Sequence, residues 1–136
     1  MSVVGMSVRT PELEKWYQGS PSQFKLEKGL TVLVFWEAWC PHCQRELPLM
    51  QELYGVMQKD LQVVALTKVT KSSTDEKVQA FIAENGLSFP VAKEDGSVST
   101  QYAVTGIPAA ALVKDGVVVW RGHPARLSVQ MLQAFL

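Results

Sequence analysis

In residues 31–36 both alternating sets of positions are apolar, with Val32, Val34 and Trp36 in one set and Leu33 and Phe35 in the other. This pattern predicts a strand covered on both faces. The period then changes. Leu47, Met50, Leu53, Tyr54 and Met57 recur at helical spacing, predicting a helix over 41–58 with that set against the sheet. Pro41 suits the first helical position, and Pro48 removes the hydrogen bond to the Gln44 carbonyl, which predicts a kink. Residues 61–67 read as the next strand. Ser73-Thr74-Asp75-Glu76 reads as a capping box with Ser73 as the cap. Val78, Phe81 and Ile82 form the core face of the helix that follows, and Asn85-Gly86 ends it. A short extended segment over 89–92, a turn at Asp95-Gly96 and a brief helix over 97–102 come next. Residues 109–113 and 117–121 flank Lys114-Asp115-Gly116, a hairpin signal. Ser128 caps a last helix with Met131, Leu132, Phe135 and Leu136 on its apolar face. Upstream, residues 13–24 carry Trp16, Tyr17, Gly19 and Pro21, which predict a short strand, a turn and another extended piece. Residues 1–11 lack periodicity and read as a loose N-terminus. The order β-α-β-α-(βα)-β-β-α predicts one α/β domain over 1–136, with parallel crossovers first and an antiparallel hairpin last.

Composition narrows the possibilities. The chain has 136 residues, 47% apolar and 19% charged, enough for one folded domain with a real core. Net charge is zero, with no basic patch or acidic tail, which argues against a nucleic-acid partner. No apolar stretch approaches the roughly 20 residues of a membrane span. The start, Met1-Ser2-Val3-Val4-Gly5, has no charged and then apolar leader pattern.

Chemistry concentrates in Trp39-Cys40-Pro41-His42-Cys43, which holds both cysteines of the chain. A bridge across so short a loop adds little stability. A single C-x-x-C between a strand and a helix reads instead as a redox pair. A helix N-terminus favours the thiolate through its free N–H groups and dipole, so Cys40 is the expected nucleophile. Cys43, one turn deeper, is the expected resolving thiol. His42, between them, has the donor capacity to stabilise a neighbouring thiolate. Glu46, three residues after Cys43, is a candidate acceptor for the Cys43 proton. Glu37 is a weaker one, and His123 reads as a surface residue.

The order of elements, with Phe35-Trp36-Glu37-Ala38-Trp39-Cys40-Pro41-His42-Cys43 after the first long strand and Thr105-Gly106-Ile107-Pro108 before the hairpin, resembles the thioredoxin superfamily. Cys43-Gln44-Arg45-Glu46-Leu47-Pro48, matching C-x-x-E-x-P, and the extra segment at 85–102 look like its TlpA-like, ResA-like extracytoplasmic branch. The resemblance implies a thioredoxin-like fold, with a central mixed sheet flanked by helices. It implies a cis Ile107–Pro108 facing the thiols, with Ile107 and Trp39 as the surface for a partner segment and Trp36 as core. Three departures stand out. Pro41-His42 looks like the DsbA-type oxidant dipeptide, Val34 occupies the place of thioredoxin's buried acid, and Glu37-Ala38 replaces the usual small-then-hydroxyl pair.

These readings converge on a thiol–disulfide oxidoreductase, with no metal and no organic cofactor. The expected partners are proteins bearing thiols or disulfides and an upstream electron donor or acceptor. The chain is expected to be monomeric, and the resemblance places it outside the cytoplasm. Two other readings stay open: a copper-binding module using the C-P-H-C thiols, and a thiol peroxidase on a similar fold.

Overall fold

A computed structural model describes residues 2–136. Among them, six strands form one sheet: β1 (Lys15–Gln18), β2 (Leu30–Trp36), β3 (Leu61–Thr67), β4 (Val91–Lys93), β5 (Ala109–Lys114) and β6 (Val117–Gly122). Their spatial order is β1-β4-β3-β2-β5-β6. The pairs β2–β3 and β3–β4 are parallel, while β5 runs antiparallel to β2 and β6, and β1 antiparallel to β4. The helices are α1 (Pro41–Met57), α2 (Asp75–Glu84), α3 (Ser97–Gln101) and α4 (Val129–Gln133).

The double apolar pattern of β2 is explained by its surroundings. Val32, Val34 and Trp36 join Leu47 and Met50 of α1, Val78 and Ile82 of α2 and Leu132 of α4 in one core. Leu33 and Phe35 join Phe24, Leu26, Leu66, Val98 and Tyr102 in a second core on the opposite face. Val34 is fully buried in the first core and supplies no ionisable group there. The β5–β6 turn places Asp115 and Gly116 at φ 47° and 81°, the left-handed pair that a two-residue hairpin requires. β4 and α3 make up the extra segment.

The structure departs from the pattern-based expectations in four places. The cap of α2 is Thr74, whose hydroxyl accepts the Lys77 amide; Ser73 is buried and points elsewhere. The piece expected to be extended before Phe24 is a 3-10 turn at Pro21–Gln23, with the proline at its first position. The last helix stops at Gln133, leaving Leu136 exposed. Residues 5–8, expected to be loose, hydrogen-bond to β6 and the turn before it: Gly5 N donates to Val118 O, Val118 N to Met6 O, and Val8 N to Gly116 O. Backbone pairing with a single buried side chain, Val8, leaves no periodic trace in sequence.

Candidate active site

The site forms where β2 hands the chain to α1. A turn closes after Trp36, with Cys40 N donating to Glu37 O at 3.2 Å. Cys40 then occupies the N-cap position, with extended backbone (φ −81°, ψ 115°), and Pro41 starts the helix. An N-cap normally offers an oxygen to the amide two or three residues on. Here the acceptor is sulfur: Cys43 N donates to Cys40 Sγ at 3.2 Å. The helix head therefore aims one of its N–H groups at the Cys40 sulfur.

Both cysteines are free thiols. Cys40 is 3% exposed and Cys43 fully buried, so Cys40 is the nearer to solvent. Burial pushes the Cys43 thiol far above its ordinary range, and the neighbouring Cys40 pushes it further, while hydrogen bonding from the Glu37 backbone opposes both. At neutral pH Cys43 is protonated and must lose that proton before it can attack.

The peptide bond Ile107–Pro108 is cis. Its Ile107 carbonyl accepts the Cys40 thiol at 3.8 Å, which brings this loop onto the cysteine across 67 residues of sequence. Trp39 is 49% exposed, and its Nε1 donates to Glu37 Oε1 at 3.0 Å, which fixes the indole. Trp39, Glu37, Thr105 and Ile107 line one cleft of about 310 Å³, together with Lys68 and Glu94. Trp36 is core, packed on Phe81 with ring centroids 5.2 Å apart.

Glu46 lies one turn beyond Cys43, 7% exposed, and among the described residues its Oε2 has no hydrogen-bond partner. It borders an apolar cleft of about 370 Å³ with Leu49, Met50, Leu53 and Leu127. A buried acceptor with no donor is costly to keep. His42 does not engage Cys40. It is exposed, and its Nδ1 accepts from Arg45 Nη2 at 2.6 Å. His123 lies outside the site, where its Nδ1 accepts the Ala125 amide. Among the described residues, no group of three or more His, Cys, Asp or Glu side chains is arranged to hold a metal ion.

Sequence reasoning passed over two contributors. Ser73 Oγ accepts the Ala38 amide at 3.0 Å. Glu94, 4% exposed, accepts the amides of Gly96, Val98 and Ser99 through Oε1, capping α3 where Gly96 has no side chain to do so. Glu94-Asp95-Gly96-Ser97 carried a capping signal for that helix; Ser73 read as the cap of α2, and nothing local marked its place at the turn after β2.

The chain is 31% identical over 113 residues to the thiol-disulfide oxidoreductase ResA of Halalkalibacterium halodurans, covering 82% of this chain and 63% of that protein. It spans about three fifths of the length of the ResA proteins it matches. The structure of StoA from Bacillus subtilis superposes with a TM-score of 0.66 at 26% identity, over 80% of this chain and 83% of that one. A thiol-disulfide isomerase from Corynebacterium glutamicum shares the fold at a TM-score of 0.77 and 21% identity, over 98% and 96% of the two chains. The fold is thioredoxin-like, and with residues 4–121 matched by its family model, the chain belongs to the AhpC/TSA family.

Proposed function

We propose that this chain is a thiol–disulfide oxidoreductase that exchanges electrons with partner proteins through Cys40 and Cys43. The observation that carries the reading is the Cys43 amide donating to the Cys40 sulfur at the head of α1, under the Ile107 carbonyl. The names of the ResA relatives support it.

The Cys40 thiolate attacks one sulfur of a partner disulfide. A bond forms between Cys40 and that sulfur, and the partner's other sulfur leaves as a thiolate. Glu46 takes the proton from Cys43, and Cys43 attacks the Cys40 sulfur. The mixed disulfide breaks, the partner leaves as a second thiolate and takes up a proton, and the Cys40–Cys43 disulfide remains. Two electrons have passed to the partner. The reverse sequence oxidises a partner dithiol. The balance closes on sulfur alone, so this reading uses no metal and no organic cofactor. An upstream thiol donor restores the pair.

Trp39 and the Ile107 backbone hold the partner segment in this reading, with Pro108 shaping the loop that presents it. His42 acts through the exposed helix head it shares with Arg45, not through contact with the Cys40 sulfur. The TlpA-like resemblance favours reduction of partners as the direction and a place outside the cytoplasm.

The test is trapping. Cys40→Ala abolishes insulin reduction, and Cys43→Ala accumulates a mixed disulfide visible as added mass. Accumulation in Cys40→Ala instead reverses the two roles, and turnover surviving in both variants removes the mechanism.

A further inference from the structure

Ser73 lies 30 residues beyond Cys43 in sequence and takes no part in the exchange just described. Yet it is fully buried, between exposed Ser72 and half-buried Thr74 on the connection from β3 to α2. Its backbone is pinned on both sides. Ser73 N donates to Thr70 O at 3.2 Å and to Thr70 Oγ1 at 3.0 Å, and Ser73 O accepts from Thr70 N at 3.1 Å. A backbone held this way delivers the hydroxyl to one place, where it accepts the buried Ala38 amide at 3.0 Å.

Ala38 is held from its other side too, where its carbonyl accepts Gln44 Nε2 at 2.8 Å. With the Cys40 N to Glu37 O bond, three hydrogen bonds fix the four residues that pass from β2 into α1. Cys40 is the last of them. Rotation of the Ala38 peptide would swing Cys40 Sγ away from both the Cys43 amide and the Ile107 carbonyl. The two halves of the clamp are unequal. Gln44 is exposed, so water can replace its amide on the Ala38 carbonyl, whereas the Ser73 contact is sealed and its loss strands a buried N–H.

We propose that Ser73 is a positioning residue of the dithiol site, its hydroxyl holding the Ala38 amide and thereby the turn that carries Cys40. The proposal rests on the dithiol-exchange reading and adds to it a residue from a different part of the chain.

Two measurements on the whole chain test it: amide hydrogen exchange by NMR, and the equilibrium constant of the Cys40–Cys43 pair with glutathione. In Ser73→Ala, exchange at Ala38 accelerates by about tenfold or more while the amides of β2 and β3 keep their protection. The glutathione constant shifts by about threefold or more. Gln44→Ala shifts it in the same direction by less. Thr74→Ala, which removes the neighbouring cap of α2, leaves it unchanged. An Ala38 amide that exchanges freely in the unmodified protein overturns the proposal without any variant. So does a glutathione constant that Ser73→Ala leaves unchanged, or one that Thr74→Ala moves as far. Where Ser73→Ala is too unstable to purify, the exchange rate of the Ala38 amide in the unmodified protein keeps the proposal refutable, since the hydroxyl contact requires that amide to be protected. A native pair that fails to equilibrate with glutathione at all overturns the dithiol reading itself, and this proposal with it.

Discussion

At the scale of single residues, the arrangement sets a nearly buried sulfur closer to the surface than a fully sealed one and places an unpartnered carboxylate one turn beyond the sealed sulfur. Cys43 is held protonated by burial, so the second half of the proposed exchange waits on removal of that proton. Glu46→Gln is expected to slow release from the mixed disulfide by about tenfold or more near neutral pH and to leave the first attack by Cys40 unchanged. Single-turnover kinetics with a thiol-labelled partner separate the two steps. The same substitution is expected to raise the melting temperature, because Oε2 is a buried acceptor with no donor and an amide removes its charge. Slower release together with greater stability is the signature of a group kept for chemistry; a loss of both makes Glu46 structural. The sequence made the pair legible because C-x-x-C is a local pattern and the helix head supplies its own chemistry. It made Ser73 illegible because that role exists only once the β3–α2 connection lies against the turn after β2.

At the scale of elements, the start of α2 shows how such a reading goes astray. Ser73-Thr74-Asp75-Glu76 offers two hydroxyls in succession, and either could cap a helix. The choice falls on Thr74 because the Ser73 hydroxyl is engaged by the Ala38 amide. Thr74→Ala is expected to cost about 1 kcal/mol of stability, measured by urea denaturation, the usual worth of such a cap. The strands were more legible. β2 announces a central, doubly covered position through its two apolar sets, and Asp115-Gly116 announces the hairpin through the φ values only such residues adopt readily. The 3-10 turn at Pro21–Gln23 was less so, since proline serves extended and turned backbone equally well.

At the scale of the whole molecule, the buried thiol makes stability depend on pH. Its folded-state value is raised, so the contribution is fully present below the ordinary thiol range near 8.5 and is lost as pH climbs above it, where the unfolded chain ionises first. Tyr17 and Tyr102 are also raised, chiefly by burial, but their unfolded values lie near 10, so their effect begins later. The reduced protein is therefore expected to lose stability between about pH 8.5 and 10, and Cys43→Ala to lose less over that window. Denaturation midpoints across the range decide it, and identical slopes would show that burial of the thiol carries no linkage. The contact between residues 5–8 and β6 has a further consequence. β6 ends the sheet, and without that segment its outward amides and carbonyls would stand open as a template for a second molecule's strand. Trimming residues 2–8 is expected to leave the thiols competent and to promote self-association through β6, seen as a rise in scattered light with concentration above that of the untrimmed chain.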